Sequence, residues 1–192
     1  YYGFSNAGDE AILNAIHRNL LKLDGNLQVK VLISNPEAAK EIYDFDMVDR
    51  FHIFRLLRAI WKCDLLISGG GSLLQDRTST KSIMYYLTIM NLAKFMRKKV
   101  MLYANGIGPV IKPANRRRVR AAVSRADLIT LRDENSVEEL RSMGVERDDM
   151  YVTADPVFTF DCLSRDSAAE LLRSEGVPDD RPFVGVSLRS CY

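Results

Sequence analysis

Short stretches of this chain carry residue types suited to chemistry on a polar substrate. Gly3-Phe4-Ser5-Asn6-Ala7-Gly8-Asp9-Glu10 sets an amide and two carboxylates around a pair of glycines. Gly69-Gly70-Gly71-Ser72 and Asn105-Gly106-Ile107-Gly108 each follow an apolar run. Glycines allow a backbone to approach a ligand closely and present amide donors to an anion. Arg132 ends one apolar run and Arg189 another. A guanidinium at a strand end suits a carboxylate or a phosphate, which it binds through paired donors. For Arg132, a salt bridge to a neighbouring acid is the plainer alternative.

One common glycine-loop chemistry is excluded and a second is disfavoured. A phosphate loop needs Lys and then Ser or Thr after its second glycine. Gly8 is followed by Asp9-Glu10, whose charges would repel a triphosphate. A dinucleotide fingerprint needs G-x-G-x-x-G opening a helix. Leu74 and Ile111 stand where the last glycine of each candidate should be, which disfavours a nicotinamide enzyme. The loop at 3–10 is then either a tight turn with a capped helix, or a site where Asn6 and Asp9 bond a polyhydroxyl ligand and Asp9 doubles as a base. The triple glycine likewise reads as a ligand loop or as a strand-end turn.

These residues need elements to position them. Strand-like runs lie at 27–33, 63–68, 100–104, 128–131 and 150–153. Between them, Ile12, Leu13, Ile16 and Leu20 share a helical face after Asp9, the expected N-cap. A long helix enters from Thr78-Ser79-Thr80, another runs from Asp133 to Gly144, and a fourth from Ser164 to Gly176. Trp61 and the methionines read mostly as core. Continuous apolar strands alternating with helices predict an α/β doubly wound parallel sheet. In such a sheet ligands sit outside the carboxyl ends of the strands. No strand precedes the loop at 3–10, so the first strand is expected to be missing. Phe183–Leu188 predicts the first strand of a second domain.

The chain has 192 residues, 27 basic and 25 acidic side chains and a formal net charge of +2. This balance argues against a nucleic-acid binder. The basic residues Lys112, Arg116, Arg117, Arg118, Arg120 and Arg125 share a stretch without an acid. It reads as a solvated helix face, or as a patch facing anionic lipid or a phosphorylated substrate. Cys63, Cys162 and Cys191 are scattered and far in sequence from His17 and His52. That spacing fits free thiols in a reducing cytoplasm rather than a zinc site or a disulfide framework. No apolar run nears the roughly 20 residues of a membrane span.

The blocks, taken in order, resemble the polysaccharide pyruvyl transferase family, and are most similar to its bacterial cell-surface members. They are Tyr1–Ile12, Asp64–Asp76, Tyr103–Pro109, Thr130–Ser136, Thr153–Phe158 and Val186–Arg189. The resemblance implies two Rossmann-like domains in a GT-B-like arrangement, with residues 1–160 as the first. Residues 161–182 are then a connector, and 183–192 begin a truncated second domain. It implies transfer of pyruvate from phosphoenolpyruvate to a sugar, forming a cyclic ketal, with no cofactor. The implied acceptor is a lipid-linked, β-ManNAc-containing cell-wall glycan that later anchors surface-layer proteins. Such an enzyme works in the cytoplasm, at the inner face of the membrane, where the Lys112–Arg125 stretch, read from its charge alone, is the candidate lipid contact.

On that reading Arg132 and Arg189 neutralise the donor and Asp9 activates a hydroxyl. Asn6, Gly8, Gly70, Gly71, Asn105, Gly106 and Asp155 line the substrate cleft. No metal is demanded, because arginines can meet the donor's charge. A nucleotide-sugar glycosyltransferase of the same architecture is the competing reading.

Overall fold

The computed structural model describes residues 6–40, 43, 45–77, 79–160, 163–178 and 181–186. The chain divides into two compact units, Tyr1–Thr159 and Phe160–Tyr192.

In the first unit, α1 (Ala7–Leu23) leads to β1 (Lys30–Ile33), a short α2 (Pro36–Ala39) and β2 (Asp46–Asp49). Then come α3 (Ile53–Lys62), β3 (Leu65–Gly69), α4 (Thr80–Phe95) and β4 (Lys99–Asn105). The unit continues through α5 (Pro113–Val123), β5 (Leu128–Leu131), α6 (Glu134–Ser142), β6 (Met150–Val152) and a 3-10 turn at Pro156–Thr159. All strand pairs are parallel. β1 pairs with β2, and β3-β4-β5-β6 form a second sheet in sequential order. The expected parallel α/β organisation is therefore observed.

The core is built on the central strands. Val100, Leu102, Ile129 and Leu131 have no exposed surface, and each such aliphatic side chain contributes about 2 kcal/mol of burial. Ile83, Leu87 and Met90 of α4, Val119 and Val123 of α5 and Leu140 of α6 close over them. Burial along β4 and β5 alternates, with Met101, Tyr103 and Thr130 only partly covered, so one face of the sheet is better shielded than the other. Asp127 ties the edge of this core together. It accepts from Lys94 Nζ (2.7 Å), Lys99 Nζ (3.0 Å) and the Val100 amide (2.8 Å). An apolar cleft runs between β1 and β3, lined by Leu13, Ile16 and Leu20 of α1, Val31, Leu66 and Ile89.

Several sequence expectations need correction. Asn6, not Asp9, is the N-cap of α1: its backbone is extended and its Oδ1 accepts from the Gly8 amide at 3.2 Å. Asp9 lies within the first helical turn. Trp61 is not core; it is 66% exposed on α3. The first expected strand is confined to residues 30–33, and β2 and α3 lie where no element was expected.

In the second unit α7 (Arg165–Ser174) is capped by Ser164, whose Oγ accepts from Ser167 N, and is followed by Gly176 at φ 78°. Residues 183–186 carry no strand pairing. The rest of the strand expected there, including Arg189, lies outside the described residues, as do Gly3, Cys162 and Cys191.

Candidate active site

The site forms where the carboxyl ends of β3, β4 and β5 release their loops, and two of those loops are glycine turns. Gly70 and Gly71 follow β3 with φ of 55° and 66°, a left-handed backbone that costs a residue with a β carbon about 1–2 kcal/mol. A β carbon on Gly70 would also fall 2.1 Å from Ile12 Cγ2 of α1. The turn is therefore pressed against the start of the first helix. A β carbon on Gly71 would come 3.6 Å from Asp9 Oδ1, so the Asp9 carboxylate sits beside this turn. Asp9 Oδ2 accepts from Asn6 Nδ2 at 2.7 Å. Asn6 thus caps the helix with one side-chain atom and orients Asp9 with the other.

The second turn follows β4, whose end is bent on purpose. Ala104 has φ 49°, and the register against β5 shifts between Leu102 and Asn105. Thr130 bridges the bend: its Oγ1 accepts from the Ala104 amide (2.7 Å) and donates to Leu102 O (3.2 Å). The bend delivers Asn105, which is fully buried. Asn105 Nδ2 donates to Gly70 O at 3.3 Å, and its backbone carbonyl accepts from the Arg132 amide at 3.2 Å. Asn105 Oδ1 is buried without a protein partner. Orphaned buried acceptors are rare in folded chains and cost about 1–3 kcal/mol.

The two loops are zipped together beyond the glycines. The Gly106 amide donates to Gly71 O (3.0 Å) and the Gly108 amide to Leu74 O (2.8 Å). Asp76 then locks the far end. It is buried and accepts from Ile111 N (2.7 Å), Lys112 N (3.1 Å) and Asn115 Nδ2 (2.8 Å). Burial alone would raise the Asp76 carboxyl, but those donors outweigh it and hold it below the usual carboxylate range.

Arg132 leaves β5 into this frame. Its Nη2 donates to Ser72 Oγ (2.8 Å), its Nη1 to Asp155 Oδ2 (3.3 Å) and its Nε to Asp133 Oδ2 (3.4 Å). One N–H on each terminal nitrogen is left over from these contacts. Asp133 also caps α6, its Oδ1 accepting from Ser136 N and Oγ. Burial would raise Asp133, yet the Ser136 donors and the Arg132 charge bring it below the ordinary range. Asp155 arrives from the loop after β6. Its Oδ1 accepts from Val157 N, and Asn19 of α1 donates to Thr159 Oγ1 (2.9 Å), which seats that loop on the first helix.

Asn6, Gly8, Asp9, Gly70, Gly71, Asn105, Gly106, Arg132 and Asp155 are thus linked through one set of strand-end loops. Arg189 lies outside the described residues. Ser72, Asp133, Thr130 and Asp76 were not among the expected site residues, although Asp133 was expected to open a helix. Ser72 follows the triple glycine directly and Asp133 follows Arg132, so adjacency was the available signal for these two. Thr130 and Asp76 had only their places in the blocks Thr130–Ser136 and Asp64–Asp76, which do not announce their contacts.

The basic stretch behaves differently. It forms α5, and most of its cations bond the protein itself. Arg116 pairs with Glu139 (3.1 Å) and bonds Val110 O, Lys112 Nζ donates to Thr80 Oγ1 (2.6 Å), Arg118 to Asn115 and Arg125 to Asn91. Among the described residues no helix is long and apolar enough to cross a membrane.

Comparison with curated proteins and with solved structures returned no match. The family model for polysaccharide pyruvyl transferases matches residues 6–188, a span that takes in every loop of the site; the chain belongs to that family.

Proposed function

We propose that this chain forms the acceptor side of a transferase that moves pyruvate from phosphoenolpyruvate onto two hydroxyls of a cell-wall sugar. The family supplies pyruvyl transfer to a polysaccharide. The charge of the site supports the division of labour. Asp133 and Asp155 flank the Arg132 guanidinium, and Asp9 sits beside the adjoining Gly71 turn, so among the described residues these three carboxylates outnumber the one arginine of the strand-end loops. A site of this sign suits hydroxyls, which carboxylates orient and deprotonate. A donor bearing a carboxylate and a phosphate needs more positive charge than Arg132 provides. Arg189 and a second Rossmann-like domain, completing a GT-B-like pair, are the proposed sources.

In this reading Asp9, oriented by Asn6, takes the proton of the attacking hydroxyl. Arg132 turns its remaining N–H groups to the donor at the boundary between the two substrates. Gly70, Gly71 and Gly106 let the ligands approach the backbone, and Asn105 holds the turns in register. The donor's methylene carbon gains a proton and becomes the methyl group. Its C2–O bond to phosphate breaks, and two bonds form from C2 to sugar oxygens. Of the two hydroxyl protons released, one balances the new methyl and the other leaves with phosphate. The acceptor we favour is a lipid-linked, β-ManNAc-containing precursor, modified on the cytoplasmic side and later used to anchor surface-layer proteins.

The observation that carries this reading is the Arg132 guanidinium, pinned by Ser72, Asp133 and Asp155 at the strand ends. The deciding assay is phosphate release by the full-length protein. Release from phosphoenolpyruvate that depends on a β-ManNAc-containing acceptor supports the proposal. Release of a nucleotide from a nucleotide sugar, without donor turnover, overturns it in favour of a glycosyltransferase.

A further inference from the structure

We propose that α3 and the turn before it form a docking surface for an anionic membrane. Phe51, Ile53, Phe54 and Trp61 are 71%, 54%, 76% and 66% exposed. The same helix buries Leu56 and Ile60 in the core, so its apolar arc extends well past what the protein covers. Phe54 and Trp61 stand seven residues apart, two turns along one line of the helix. Arg55, Arg58 and Lys62 are exposed on the adjoining face. Between Asp49 and Asp64 the chain carries Arg50, Arg55, Arg58 and Lys62 and no acid.

An interfacial helix is recognised by this combination: aromatic and aliphatic groups on one face and Lys and Arg on the next. The charge selects the occupant. Three exposed cations, Arg55, Arg58 and Lys62, without an acid among them suit the phosphates of an anionic leaflet, where each is worth about 1 kcal/mol near the surface. Phe and Trp suit the boundary between headgroups and acyl chains. The guanidinium of Arg50 lies 4.8 Å from the Phe51 ring and 5.4 Å from that of Tyr85, which fixes the turn that presents Phe51. Arg50 also lines the same cleft as Ser68 and Gly69, so the patch begins beside the end of β3 that carries the glycine turn. The stretch at Lys112–Arg125 is the weaker candidate. Its cations are largely engaged within the protein, and among the described residues its large exposed apolar neighbour is Ile111.

The contact is independent of the pyruvyl-transfer reading, because it places the protein without specifying its chemistry. The test is sedimentation of the full-length protein with vesicles of phosphatidylcholine, with and without phosphatidylglycerol. Binding should require phosphatidylglycerol and weaken with salt. The Phe54→Ala/Trp61→Ala double variant should lose at least about tenfold in partitioning. Arg55→Gln/Arg58→Gln should lose about 25-fold, two cations at about fivefold each. Brominated lipid should quench emission in the wild type more than in Trp61→Phe. All these side chains are exposed, so circular dichroism and Tm should stay unchanged. Three results overturn the proposal: no sedimentation, equal binding to neutral vesicles, or binding lost in Arg117→Gln/Arg120→Gln but kept in the α3 variants. Dimerisation or capture of another subunit that disappears in Phe54→Ala/Trp61→Ala, without vesicle binding, would make the patch a protein interface instead.

Discussion

The Arg132 guanidinium lies directly against the backbone of Gly106. A β carbon built on that glycine would fall 2.7 Å from Arg132 Nε and 2.8 Å from Cζ and Nη2. Gly106 is not in the left-handed region, so Ala is tolerated by its backbone and the collision is with the end of a flexible side chain. Gly106→Ala should therefore cost only about 1 kcal/mol of stability, while swinging the guanidinium away from Ser72 and Asp155. Displacements of this size cost about 100-fold in rate when the group positions substrate. Tm and kcat/KM measured on one preparation check this; a variant with normal activity would show that the guanidinium position is immaterial.

Arg132→Lys tests whether charge alone suffices. Lysine keeps the charge but presents one compact donor cluster in place of a planar fork. It cannot serve Ser72, Asp133 and Asp155 at once and still face a substrate. We expect kcat/KM of the full-length enzyme to fall by about 100-fold. The Gly106→Ala/Arg132→Lys double variant should be little worse than either single one, because both act through the same guanidinium. Full additivity would separate the two residues.

Gly70→Ala should fail for a different reason. Its φ is 55° and its β carbon would overlap Ile12 Cγ2 at 2.1 Å, a branched atom on a rigid helix that cannot swing aside. Strain and overpacking together predict a loss of about 3 kcal/mol. In Gly70→Ala/Ile12→Ala the overlap is gone, so the double variant should lose less than the sum of the singles. Urea titration of the set decides it; simple additivity would mean that the turn relaxes away from α1.

The sequence patterns that proved legible were those with a single dominant cause. Runs such as Val100–Ala104 and Leu128–Leu131 are continuous and apolar, and they became the central strands. Ser79, Asp133 and Ser164 cap the helices they precede, because each places a short acceptor at the first unpaired amides. The failures lie where two causes compete. Asn6 and Asp9 are both good caps, and only the extended backbone at Asn6 decides between them. Asp46-Met47-Val48-Asp49 is too short and polar at its ends to announce β2, whose pairing with β1 supplies the hydrogen bonds. Trp61 follows the periodicity of a core residue yet faces outward, since Leu56 and Ile60 already fill the buried face of α3. At the site, Arg132 was legible as a residue type at a strand end, and Asp155 only through the family block Thr153–Phe158. The bend at Ala104 and the lock at Asp76 were not, because they depend on Thr130 and on the amides of Ile111 and Lys112, contacts distant in sequence.

Asp127 predicts how stability responds to acid. Burial alone would raise its carboxyl, but Lys94, the Val100 amide and Lys99 outweigh burial and hold it far below the ordinary value. A group whose pKa is depressed by folding binds its proton more readily in the unfolded chain. Its contribution is therefore complete above the unfolded pKa of about 3.9 and drains away as pH falls toward the folded value. Asp76 and Asp133 are shifted in the same direction, so the three carboxylates act together. Tm should be flat near neutrality and fall steeply below about pH 4. Asp127→Asn cannot satisfy both lysines and should lose about 2 kcal/mol at pH 7. Its deficit against wild type should shrink in acid, where the wild-type carboxylate is itself being neutralised. Thermal unfolding of both proteins from pH 7 to pH 2 measures the gap; a gap that stays constant would mean that the Asp127 charge contributes nothing to holding β4 and β5 against α4.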